Sequence, residues 1–187
     1  MIYSPSFTAL LDANTLYPAP LRDCLLRLAS VDLYKPRWTD RIQEEWIKSL
    51  LINRPDLERE KLERTRNAMN SAFPDANVAQ FEPLIDSLTL PDPDDRHVLA
   101  AAIRGRIDVI VTFNLQDFPI ATLRTYDIEA QDPDTFIAHL IELDRPKTLE
   151  AIHNQVKSLR NPPMTFEQVL QTLEGCGLPT SVALWKQ

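Results

Sequence analysis

Ile107–Asp108–Val109–Ile110–Val111–Thr112–Phe113 is the run on which the fold turns. From Val109 onward it is β-branched and apolar, without the polar alternation of a half-exposed strand, so it predicts a strand buried on both faces. Just before it, Val98, Leu99, Ala102 and Ile103 recur at helical spacing. Working outward, Thr8–Ala9–Leu10–Leu11–Asp12 reads as a second buried strand ending in a carboxylate, followed by a loop through the Pro18–Ala19–Pro20 turn. Leu33–Trp38 and Tyr126–Ala130 complete the candidate strands. Between them, Leu21, Cys24, Leu25 and Leu28 mark a helix with Cys24 packed in the core. Thr39 or Asp40 caps another helix running to about Ile52, a third runs from near Asp56 to about Phe73, and Pro133–Leu143 forms a fourth. Residues 81–90 fit helix and strand equally. Strands alternating with helices predict an α/β domain with a mainly parallel sheet covered on both faces.

After Pro146 the pattern becomes helical only: Leu149, Ile152, Val156 and Leu159, then Phe166, Val169, Leu170 and Leu173, separated by Pro162–Pro163. The chain therefore divides into a domain at 1–146 and a helical extension at 147–187. About 40 residues are too few for a core of their own, so the extension is expected to pack on the domain or on a partner.

Composition narrows the chemistry. The 187 residues, 44% hydrophobic and 25% charged, support one sizeable core. None of the three glycines, Gly105, Gly175 and Gly177, forms the Gly-rich turn that brings a backbone against nucleotide phosphates. Cys24 and Cys176, with His97, His139 and His153, have no metal-ligand spacing, which argues against structural zinc and against a disulfide framework. No leader-like N-terminal pattern and no membrane-spanning apolar run is read, so the expected setting is cytoplasmic. The net charge of −7 is unevenly placed: residues 71–146 carry 5 Lys/Arg against 14 Asp/Glu.

That acidity has a focus. Pro91–Asp92–Pro93–Asp94–Asp95–Arg96–His97 opens the helix before the buried strand. Helix capping accounts for Asp92, Asp94 and Asp95 in one reading. In the other, direction matters: Asp95 precedes Val98, Leu99 and Ala102 by three, four and seven positions and so shares their buried stripe, while Asp94 is rotated away. An inward carboxylate needs a partner, and no suitably spaced cation supplies one. Asp12, Asn114 and Asp117 follow strands, and in parallel α/β sheets such strand ends meet in one crevice. Asp117 also fits a simple turn. Clustered carboxylates raise one another's pKa or recruit a cation, and oxygen ligands suit Mg²⁺ or Mn²⁺.

Four segments together resemble the PIN-domain ribonucleases, which include the VapC-type toxins of toxin–antitoxin pairs. They are Leu10–Leu11–Asp12–Ala13–Asn14–Thr15–Leu16, the Ile42–Gln43–Glu44–Glu45–Trp46 helix, Asp92–Pro93–Asp94–Asp95, and Val111–Thr112–Phe113–Asn114–Leu115–Gln116–Asp117–Phe118. The resemblance covers roughly residues 8–135 and implies a three-layer α/β/α fold and metal-dependent RNA cleavage. It also implies Asp12, Glu45, Asp95 and Asp117 as an acidic quartet, Asp92 as an auxiliary metal ligand, and Thr112 and Asn114 as neighbouring polar groups. Helical periodicity does not separate Glu45 from Glu44, and either fits a solvated helix face. Residues 147–187 lie outside these motifs.

In such a site the cation activates water, positions the scissile phosphate and offsets the repulsion between an acidic pocket and RNA. Lys35, Arg37, Arg41, Arg59, Arg64 and Arg66 are candidates for steering the strand, or else belong to solvated helix faces. An antitoxin protein and a homo-oligomer are the expected partners. Two competing readings remain: a phosphatase or dehalogenase-like hydrolase with Asp12 as nucleophile, and a non-catalytic regulatory module whose carboxylates only cap helices.

Overall fold

The computed structural model describes residues 7–187. Residues 1–6, part of the stretch in which no leader pattern is read, lie outside them. Four short strands, β1 (Thr8–Leu11), β2 (Lys35–Arg37), β3 (Val109–Val111) and β4 (Glu129–Gln131), form a parallel sheet in the order β2-β1-β3-β4. Successive side chains of a strand point to opposite faces. Ala9, Leu10 and Leu11 of the central β1 are all fully buried, so both faces of the sheet are covered by helices and the architecture is three-layered, consistent with a PIN-like fold.

The expected elements appear with shifted edges. Asp12 is followed not by a loop but by the helical turn α1 (Ala13–Leu16), because its carboxylate accepts from Ala13 N at 2.7 Å while its carbonyl takes Thr15 N and Oγ1. Helices α2 (Ala19–Ser30), α3 (Asp40–Asn53) and α4 (Arg59–Ala72) follow, and Cys24 is fully buried on α2. Thr39 rather than Asp40 caps α3, its Oγ1 accepting from Ile42 N at 3.0 Å. The ambiguous stretch contains only the single turn α5 (Glu82–Ile85). Next come α6 (Arg96–Gly105) and α7 (Ile120–Arg124). The strand read at Tyr126–Ala130 begins only at Glu129, since Tyr126 lies in a turn and Asp127 takes the left-handed backbone at φ 56°.

Helices α8 (Pro133–Leu143), α9 (Arg145–Ser158), α10 (Phe166–Gly175) and α11 (Pro179–Trp185) complete the chain; α11 is one helix more than the periodicity suggested. They pack on the chain's own domain. Ala151, Ile152, Leu170, Leu173 and Val182 join the same core cluster as Leu10 and Ile110. Gln155 Nε2 donates to Pro20 O at 3.0 Å, tying α9 to α2. At the other side, the buried Asp134 carboxylate receives Thr180 N at 2.9 Å, Ser181 N at 2.7 Å and Ser181 Oγ at 2.7 Å, clasping the start of α11 against α8. Among the described residues, no helix is long and apolar enough to cross a membrane.

Burial pushes the Asp134 carboxyl up, but the Ser181 and Thr180 donors outweigh it and hold the group below its ordinary value. Asp134→Ala leaves those buried donors unpaired and is expected to destabilise the fold by about 2–4 kcal/mol in urea titrations at pH 7. Because the folded pKa is the lower one, Asp134's contribution is present above the carboxylate's unfolded value and fades as pH falls through the folded one. The gap between wild type and Asp134→Ala should therefore narrow in acid.

Candidate active site

The register of β1 on β3 pairs Leu11 with Val111, so the next residues, Asp12 and Thr112, emerge side by side at the carboxyl edge of the sheet. Thr112 Oγ1 donates to Asp12 Oδ2 at 2.7 Å, and Asn14 Nδ2 donates to the same oxygen at 2.9 Å. Asn14 Oδ1 accepts from Phe113 N at 3.1 Å and Thr112 Oγ1 from Asn114 N at 3.1 Å. Asp12 is thus held rigidly at 5% exposure. Burial raises its carboxyl above the ordinary value; Thr112 and Ala13 pull it down without cancelling that effect.

The second group comes from the turns before α6 and after β3. Asp92 caps the 3₁₀ turn Pro93–Asp95, accepting from Asp94 N at 2.8 Å, and Asp94 is exposed. Asp95 makes no capping bond with its side chain, and its Oδ2 is buried with no hydrogen-bond partner among the described residues. Asp92, Asp95 and Asp117 each offer a carboxylate oxygen within 4.8 Å of the others. Asp12 is not part of that tightest set. Its negative charge is nevertheless the strongest of those acting on Asp95, ahead of Asp92 and Asp117, and with burial as the largest cause the Asp95 carboxyl is pushed up to about 6. An orphaned buried oxygen amid hard, like-charged donors is the environment a small divalent cation fits. The Asp117 carboxylate makes no turn-forming side-chain bond; the turn closes through Asp117 N to Asn114 O at 3.0 Å.

Helix α3 carries the two candidate glutamates, Glu44 and Glu45. Ile42, Trp46 and Ile47 bury its inner face, Trp46 is pinned by its Nε1 donating to Gln43 Oε1 at 2.7 Å, and the Arg22 guanidinium lies 4.5 Å over the Trp46 ring. Glu45 then lines a cleft of about 510 Å³ together with Asp12, Asn14, Tyr17, Asp94, Asp95 and His97, with exposed Asp94 making no part of the closest carboxylate set. Glu44 turns away, taking both of its short bonds from Arg59 Nη2 at 2.7 Å, with Arg66 3.8 Å distant. Glu45 Oε1 accepts from Arg41 Nε at 3.1 Å and lies 3.1 Å from His97 Nε2. Burial raises the Glu45 carboxyl, but His97 and then Arg41 outweigh it and hold it below its ordinary value.

His97 is the residue that sequence reading overlooked, having been weighed only against zinc-type spacing. The signal lies in the structure: α6 buries every residue from His97 to Ala102, so a polar side chain there requires a partner. The six basic candidates do not line the cleft. Arg41 pairs with Glu45, Arg59 and Arg66 with Glu44, and Arg37 donates to Asp75 O at 2.7 Å. Lys35 and Arg64 are exposed and make no ion pair among the described residues.

A family model described as the VapC50 C-terminal domain matches residues 133–187. A curated relative from Mycobacterium tuberculosis (strain ATCC 25618 / H37Rv), named "Putative ribonuclease VapC50", is 43% identical over 79 residues, which is 42% of this chain and 47% of the relative. Both similarities support a VapC-type PIN-domain toxin family. It spans about half the length of that VapC-type relative. No solved structure matches. The VapC50 C-terminal match starts at Pro133, the first residue of α8, and so takes in the helix that clasps α11 as well as the extension read from 147.

The folded pKa of Asp95 lies above its unfolded value, so in metal-free protein its favourable contribution is complete below about 4 and is lost as pH rises through about 6. Asp95→Asn removes that penalty and sacrifices no side-chain cap bond. In EDTA it is expected to be more stable than wild type at pH 7.5 by on the order of 1 kcal/mol, allowing for solvent screening, with the advantage vanishing near pH 4. Calorimetry across that range checks the crossover.

Proposed function

We propose that this protein is a divalent-metal-dependent ribonuclease, the toxin of a toxin–antitoxin pair. The observation that carries the reading is the convergence of Asp12, Glu45 and Asp95 on one strand-end cleft, with Asp92 and Asp117 clustered around Asp95 and a buried Asp95 oxygen without a partner among the described residues. The relative's name supports the ribonuclease assignment.

Asp92, Asp95 and Asp117 would hold Mg²⁺ or Mn²⁺, with Asp12 beside them. The bound cation would supply Lewis-acid stabilisation of the phosphate and a more acidic water. The chain's own residues do the positioning. Thr112, Ala13 and Asn14 fix Asp12 in one orientation, so no reorganisation is needed when RNA arrives. Glu45, held ionised by His97 and Arg41, is suited to orient water and accept its proton at a carboxylate oxygen. Asn114 lines the cleft, and the buried Thr112 supports Asp12 from behind it. Arg41, paired with Glu45, is placed for weak steering of a polyanion rather than for tight phosphate contacts, whereas Lys35 stands at the opposite, amino edge of the sheet beside Thr8. Asp12 has both oxygens engaged by donors, which favours a ligand-holding role over the nucleophile of a phosphatase. A cognate inhibitor protein and self-association belong to the same proposal, the latter testable by light scattering.

The test is cleavage of a panel of structured and single-stranded RNAs in Mg²⁺ or Mn²⁺. Asp12→Asn, Asp95→Asn and Asp117→Asn should each lose on the order of a hundredfold or more in rate while staying folded. Asp94→Asn, altering an exposed carboxylate, should stay within a few-fold of wild type. Wild-type rates in all three folded variants would refute the nuclease site, and a phosphoaspartate at Asp12 would favour the phosphatase reading.

A further inference from the structure

Resting on the nuclease reading above, we infer that His97 is a positioning residue for Glu45: its Nε2–H clamps Oε1, so that Oε2 is the oxygen offered to cation or water. The contact spans two elements, α6 and α3, at 3.1 Å. A carboxylate only accepts, so the shared proton sits on Nε2. His97 is 2% exposed, and its Nδ1 is buried without a partner among the described residues, so the bond to Glu45 is the one polar contact the ring makes there. An ordinary core histidine would have both nitrogens satisfied or be replaced by an apolar residue at no loss. This one leaves a nitrogen unpaired and keeps the link to the cleft.

Arg41 binds the same Oε1, but its side chain is 46% exposed and it sits four residues from Glu45 on the same helix. Such a surface pair contributes little and does not tie α3 to another element. His97 does, and it lies two residues after Asp95, so one short segment sets both the aspartate and the orientation of the glutamate. Among the described residues Oε2 receives no hydrogen bond, which leaves it the free ligand atom of Glu45.

The experiment compares His97→Gln, His97→Asn and His97→Leu. The Gln amide nitrogen reaches about where imidazole Nε2 lies, whereas the Asn amide falls one bond short and Leu has no donor. Mn²⁺ titration calorimetry on the full chain should give His97→Gln an affinity within about threefold of wild type, and His97→Asn and His97→Leu a loss of roughly 10–100-fold. RNA cleavage at saturating Mn²⁺ should follow the same order. In a Glu45→Gln background the His97→Leu loss should largely disappear, because the residue acts through that carboxylate. Wild-type Mn²⁺ affinity in folded His97→Leu, or an undiminished loss in the Glu45→Gln background, overturns the inference while leaving the nuclease reading intact. If His97→Leu does not fold, the Gln/Asn pair decides, and equal affinities overturn it. A wild-type chain that neither binds Mn²⁺ nor cleaves RNA overturns both.

Discussion

The parallel pairing of β1 with β3 is the constraint on which the rest depends. Leu11 opposite Val111 makes the chain leave both strands at the same height, and the first residues beyond them, Asp12 and Thr112, are then within one hydrogen bond. Slipping that register by one residue would turn Leu10 and Leu11 to the opposite faces and separate the two. Apolar burial of β1 and β3 on both sides of the sheet therefore holds the polar arrangement at its edge, so that core packing and site geometry are set by the same contact.

Around that edge, the protein accepts electrostatic cost. Asp12 is buried against its preference for water, and Asp95 is pushed up by burial and by three neighbouring carboxylates. The relief provided is uneven. Asp12 has Thr112, Ala13 and Asn14; Glu45 has His97 and Arg41; Asp95 has an oxygen with no donor among the described residues. The unrelieved position is where a cation would gain most, since its charge acts on Asp92, Asp95 and Asp117 at once.

The C-terminal helices take part in the same fold. Asp134 joins α8 to α11, Trp185 Nε1 donates to Thr148 Oγ1 at 3.1 Å, and Gly177, at φ +92° between α10 and α11, sits against the ring of Phe113, the residue following Thr112. A side chain at Gly177 would be strained by the left-handed backbone, although its Cβ would meet that ring only at ordinary van der Waals distance. The helical end of the chain thus abuts the strand end from which the site is built.

Much of this was legible in the residues themselves. The unbroken apolar runs at 8–11 and 109–111 dictated buried parallel strands, and the three-, four- and seven-residue offsets from Asp95 to Val98, Leu99 and Ala102 distinguished it from Asp94, because side-chain direction on a helix is a local property. The Leu and Val periodicity after Pro146 likewise announced helices. What local pattern could not carry was any choice requiring a contact distant in sequence. Glu44 and Glu45 lie on opposite flanks of the buried stripe of α3, so periodicity does not choose between them, and Arg59 and Arg66 on one side and His97 on the other separate them. The short strand edges near Tyr126, the packing of the last helices on their own domain, and Asp92's place in the closest oxygen set were likewise settled by the tertiary structure. Periodicity encodes which face is buried; only the folded chain decides which charged group from elsewhere meets it there.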